Sequence, residues 1–130
     1  MRSDQFWQAL KRLPQGNACV RSQQAVKSVD EEIVYVGICT KGRMRWWRYS
    51  RGELASIALP RGPSAQGVAF AILRDFAREA ALGGPEDAQG LAADFARQFL
   101  LPAAGVQAHF IEGHRIRTWL SVLRMCGLVG

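Results

Sequence analysis

The chain has 130 residues and a net charge of +6, with 48% hydrophobic and 22% charged residues. That balance is globular and excludes a low-complexity or collagen-like chain, and the absence of any run of about eighteen apolar residues excludes a membrane-spanning helix. Cys19, Cys39 and Cys126 are odd in number and widely spaced. They point to reduced, structural thiols in a cytoplasmic, unexported protein rather than to a disulfide framework.

The first element is a helix capped by Ser3, with Phe6, Leu10 and Leu13 on one face and Trp7 beside them. Pro14, Gly16 and Asn17 stop it, and Asn17 to Glu32 admits either a short turn or a strand. Ile33 to Thr40 is β-branched and aromatic, Arg43 to Ser50 is a second strand, and Lys41-Gly42 suits the two-residue turn of a hairpin. A third strand is expected over Leu54 to Leu59. Ala65, Val68, Ala69, Ile72, Leu73, Phe76, Ala77 and Ala80 then follow helical rhythm, with Arg74, Asp75, Arg78 and Glu79 outward. Gly83-Gly84 ends that helix, and Pro85, Glu86 and Asp87 open another with Ala88, Leu91, Ala92, Phe95 and Phe99 on its inner face. After Pro102 and Gly105, Val106 to Phe110 is briefly extended, and a last helix turns Ile116, Trp119, Leu120 and Leu123 inward before Gly127. The expected fold is α+β, one domain over residues 1–130, in which a small antiparallel β-hairpin or meander packs with two long helices and a C-terminal helix.

Three runs, "GPSAQGVAFAILRD" (Gly62 to Asp75), "LAADFARQFLLP" (Leu91 to Pro102) and "IEGHRIRTWL" (Ile111 to Leu120), stand in an order and spacing that resemble a family of small domains of unknown function, number 6166. The upstream "VYVGICTKGRMRW" is similar to that family's opening hairpin, which extends the resemblance over about two thirds of the chain. The resemblance implies the fold above and a phage, plasmid or microbial mobile-element setting, and it carries over no catalytic residue. Where the family has a Trp-Gly-Tyr-Gly-Gly-like loop this chain has "SIALPRGP", Ser56 to Pro63, so no role of that loop is transferred.

Catalytic constellations are weak. His109 and His114, five apart with Glu112 between them and Cys126 beyond, lack the second close pair of a zinc site. No nucleophile elbow occurs, and Cys39 falls inside a strand, where a buried thiol is expected. Asp30, Glu31 and Glu32 are neighbours on one segment, whereas metal-dependent phosphodiester chemistry draws carboxylates from separate elements. "GGPED" precedes a helix, but Glu86 and Asp87 fill its positive end. No cofactor and no metal are expected.

The charge is more specific. Residues 1–60 hold ten Lys/Arg against five Asp/Glu, residues 61–112 four against six, and residues 113–130 three against none. Lys41, Arg43, Arg45, Arg48 and Arg51 surround Trp46, Trp47 and Tyr49 without an acid, a combination suited to phosphates and bases. Strand alternation across Lys41-Gly42 sets Val34, Val36 and Ile38 with Trp47 and Tyr49 on a core face. It leaves Trp46, over Gly37, and Arg48, opposite Tyr35, on the other. The expected function is a small non-enzymatic protein contacting DNA or RNA through Arg43, Arg45, Arg48, Arg51 and Trp46, with Arg115 and Arg117 as secondary contacts. The alternative is a protein–protein module, as an inhibitor or a homo-oligomeric accessory protein, because Arg, Trp and Tyr also dominate protein interfaces.

Overall fold

The computed structural model describes residues 2–13, 33–40, 42–62, 64–82, 88–101 and 108–127. The Asn17 to Glu32 stretch with its acidic run, Cys19, Lys41, and the expected breaks at Pro14, Gly83 to Asp87 and Pro102 to Gly105 lie outside these residues. The elements are α1 (Arg2–Lys11), β1 (Ile33–Thr40), β2 (Arg43–Ser50), β3 (Glu53–Ser56), α2 (Ala65–Glu79), α3 (Ala88–Phe95) continued by a π-helical segment (Ala96–Leu100), β4 (Ala108–Glu112) and α4 (Gly113–Met125). The fold is α+β. Residues 1–56 with 105–113 form one unit, and residues 57–104 with 114–130 form a second.

The first unit is an antiparallel sheet in the order β3-β2-β1-β4, with α1 on one face. The β1–β2 register is the expected one, from Ile33 opposite Ser50 to Thr40 opposite Arg43, closed by a turn in which Gly42 has φ +77°. Arg51 and Gly52, at φ 56° and 83°, make the next two-residue turn. Positive φ at both central positions is the twist that suits tight hairpins, and glycine adopts it without steric penalty. The third strand therefore starts at Glu53 and stops at Ser56, short of the expected Leu59. The extended segment near the C-terminus is a full partner, with β4 pairing antiparallel to β1 from Val34 opposite Glu112 to Ile38 opposite Ala108.

Phe6 and Leu10 of α1 are fully buried against Val34, Val36, Ile38, Tyr49 and Ala108, with Trp7, Leu13, Trp47, Leu54 and Phe110 packed around them. The Phe6 ring meets those of Trp7, Tyr49 and Phe110 edge-on at 4.8, 5.2 and 6.0 Å, the offset geometry that aromatic quadrupoles favour. The helix already includes Ser3, so that residue is not its cap.

Burial holds the Tyr49 phenol above its ordinary value of 10.0, because the phenolate is poorly solvated there. The stability this neutral phenol contributes is whole below about pH 10 and is lost as pH rises through the folded-state value. Tyr49→Phe is accordingly expected to flatten the loss of stability between about pH 8 and about pH 11, read as urea midpoints at both pH values. An identical alkaline slope in both chains would refute this role for Tyr49.

In the second unit, α2 packs on α3 and its π-helical continuation, and buries Val68, Ala69, Ile72, Leu73, Phe76 and Ala77. Ser64 caps α2, its Oγ accepting from the Gly67 N–H at 3.1 Å. The helix stops at Glu79, before the glycine pair, because Ala81 takes a left-handed φ of 53°. The Leu82 and Ala81 N–H groups then donate back to Ala77 and Arg78 carbonyls, a Schellman closure made without glycine. Asp75, expected on the outer face, is buried and paired with Arg78 at 2.7 Å. Ile116 and Leu120 of α4 are buried, Trp119 and Leu123 half-buried, and Gly127 follows with φ +74°. Phe95, Phe99 and Trp119 form a ring cluster with centroids 4.6 to 5.8 Å apart.

Candidate functional site

β2 carries the basic and aromatic residues, and its alternation distributes them. Arg43, Arg45, Trp47 and Tyr49 share the α1 face, since their partners Thr40, Ile38, Val36 and Val34 stand on it in register. Met44, Trp46, Arg48 and Ser50 share the other face. That second face is as well buried as the first, with Tyr35 and Ile111 fully enclosed and Ile33 nearly so.

Trp46, a candidate contact in the sequence, does not present an open ring. It is 3% exposed, lies over Gly37 as the register requires, and has the His109 ring 5.5 Å away. A ring so enclosed cannot stack a base. Arg48, on the same face opposite Tyr35 and Ala55, is half-buried and so is only partly available to a ligand.

Trp47, on the opposite face, is the β2 tryptophan that keeps exposed surface. It is half-buried, packed at the edge of the α1 cluster, and stands one pleat repeat from Arg45 and two from Arg43, about 7 and 14 Å along the strand. Arg43 and Arg45 are exposed, and among the described residues neither is paired with a carboxylate. Arg51 is also exposed but sits at the far end of β2, eight residues from Arg43 and so about 27 Å from it along the strand. Exposed charges that far apart are screened from each other at physiological salt. The five-residue site of the sequence thus resolves into a cluster of Arg43, Arg45 and Trp47 at the hairpin end, with Arg51 separate from it.

Arg115 and Arg117 belong to the second unit. Both are exposed, and each guanidinium lies over a ring of a neighbouring helix, Arg115 over Phe99 at 5.3 Å and Arg117 over Phe76 at 5.8 Å. Stacking on a ring restrains the guanidinium while leaving its N–H edge open, so both remain able to meet an anion. Arg78 and Arg97 differ, being paired with Asp75 and Asp94.

The other chemical candidates do not assemble. Among the described residues no three His, Cys, Asp or Glu side chains group as a metal site. His109 is half-buried beside Trp46, and His114 is exposed on α4. Cys39 is half-buried rather than enclosed, so it is not the buried thiol expected from the sequence, and Cys126 is exposed. No described helix is long and apolar enough to cross a membrane. The chain matches no family model, no curated protein and no solved structure, so the resemblance to the small-domain family rests on its three motifs and the hairpin alone.

Proposed function

We propose that this chain is a small non-enzymatic nucleic-acid-binding protein that holds phosphates electrostatically, with weak sequence preference, through the hairpin end of β2. The observation that carries this is the exposure of Arg43 and Arg45, side by side on one face, unpaired with any described carboxylate and adjoining the half-buried Trp47 ring. Guanidinium groups with no described carboxylate beside them, held on a strand of the sheet, are suited to displacing cations from a phosphate backbone. Arg115 and Arg117 would add phosphate contacts, and the resemblance stated above adds a mobile-element setting.

Each phosphate neutralised contributes about 0.7 to 0.9 to the slope of log K against log salt. Replacing Arg43 and Arg45 together by alanine is expected to lower that slope by about 1.4 to 1.8 and to weaken binding alike on every sequence. No binding at low salt, or a flat salt dependence in the wild-type chain, would overturn the proposal. A second function, protein interaction, is favoured by Val122 and Met125, which are 51% and 87% exposed and three residues apart on α4. Self-association abolished by serine at both positions, in a chain that binds no nucleic acid, would favour it.

A further inference from the structure

We infer that the hairpin end of β2 selects single-stranded nucleic acid over duplex, one unpaired base lying against the open part of the Trp47 ring while Arg43 and Arg45 hold the adjoining phosphates. This rests on the nucleic-acid function proposed above and specifies its ligand.

The preference follows from how Trp47 is held. Its ring is packed at the edge of the cluster formed by Phe6, Leu10, Val36 and Tyr49, so part of it is covered by the protein and part is open. It is anchored against that cluster rather than standing free of the protein, and a ring held so can receive a base offered to it but is not free to enter a base stack. In a duplex every interior base is stacked on both sides, and bringing one to the ring requires a step to be opened. Stacking one base on an aromatic side chain strengthens binding by roughly 5- to 100-fold, and opening a step removes a comparable or larger factor. On a duplex the two effects cancel and only the arginines contribute. A single strand presents bases already free, so the stacking factor is retained in full. Trp46 offers no competing platform, being enclosed over Gly37.

The arginines reinforce this geometry. Arg45 is one pleat repeat from Trp47 and Arg43 one further, so ring and charges lie in a line on one strand face, as an extended strand presents base and backbone in succession. The site takes about one base, and nothing in it reads a base edge, so discrimination among sequences is expected to be small.

The test measures fluorescence anisotropy at low salt with labelled oligo(dT) and oligo(U) of about twelve nucleotides and with a DNA duplex of the same length. The single strands are expected to bind roughly 5- to 100-fold more tightly than the duplex. Trp47→Leu should bring them down to the duplex level with the salt slope unchanged, and Trp47→Phe should keep most of the preference. Should Trp47→Leu fail to fold, tryptophan emission decides: saturating oligo(dT) quenches the wild-type chain, and Trp47→Phe removes that quench. Equal, salt-dependent binding of single strand and duplex would overturn the inference and leave electrostatic binding standing. So would a full single-strand preference in Trp47→Leu, or a quench that survives Trp47→Phe. Absence of binding to every probe at low salt would overturn the inference and the proposed function together.

Discussion

Phe6→Ala is expected to destabilise the protein by about 3–5 kcal/mol, a large part of the 5–15 kcal/mol that holds a typical domain together. Phe6 has no exposed surface and is, with Leu10, one of the two fully buried side chains through which α1 meets the sheet, its ring meeting those of Trp7, Tyr49 and Phe110 edge-on. Truncation removes the transfer free energy of the ring and leaves a cavity. A β-sheet beneath cannot close that cavity without breaking the register that fixes Val34, Val36 and Ile38. The midpoint of thermal unfolding should fall by about 10–20 °C, and urea titration should give the same sign with little change in slope. Trp7→Ala, at a half-buried ring on the rim of the same cluster, should have a smaller effect. A Phe6→Ala loss under about 1 kcal/mol would mean that α1 is not held on this face by Phe6. Because Arg43 and Arg45 are exposed side chains outside that cluster, the salt slope of any folded fraction should match the wild type.

What could be foreseen from the residues depended on how local the decisive interaction is. The β1–β2 register followed from Lys41-Gly42, because a two-residue turn fixes every cross-strand pair, and alternation then assigns every side chain to a face. The Arg51-Gly52 turn, which sets β3 two residues after β2, carries a similar glycine signal, whereas the apolar run Leu54 to Leu59 suggests a longer and later strand than the one that forms. β4 was harder, since its pairing with β1 joins residues seventy or more positions apart and a five-residue segment contains nothing that names its partner. The end of α2 was misplaced for a different reason. Gly83-Gly84 looked like the cap, yet the hydrogen bonds close at Ala81, a residue whose type gives no sign of a left-handed backbone.

The candidate site was legible in composition and misread in one ring. Alternation shows that Trp46 and Trp47 face opposite ways, but it does not show which face is left open. Three aliphatic partners mark one face as core and leave the other as a candidate surface. The second face encloses Trp46, and on the α1 face exposure falls along the strand, with Arg43 and Arg45 open near the turn and Tyr49 enclosed toward the other end. Trp47 falls between these limits, at the edge of what α1 covers. The widening of the helix over Ala96–Leu100 had no signal in the sequence, because helical apolar spacing of Phe95 and Phe99 is compatible with either an α- or a π-turn.

Gly37→Ala tests the packing assigned to Trp46. A Cβ at this position would stand 2.7, 2.8 and 2.9 Å from Cζ2, Cε2 and Cη2 of the indole, closer than carbon atoms approach, and the ring is enclosed with His109 beside it. Overpacking of this kind costs about 1–3 kcal/mol, more than the roughly 0.5–1 kcal/mol that alanine contributes over glycine by restricting the unfolded chain. The net expectation is a less stable protein, seen as a lower urea midpoint. Trp46→Leu alone should also destabilise, by leaving a cavity over Gly37. Combined, each substitution relieves the other, since the new methyl group fills part of the space that the indole vacates. The double variant should then lose at least about 1 kcal/mol less than the sum of the two single losses. Additivity within about 0.5 kcal/mol would mean that the indole does not rest on Gly37 in solution. The same series separates packing from binding: Trp46→Leu should move the stability and leave the single-strand preference intact, whereas Trp47→Leu should remove the preference at a smaller loss of stability.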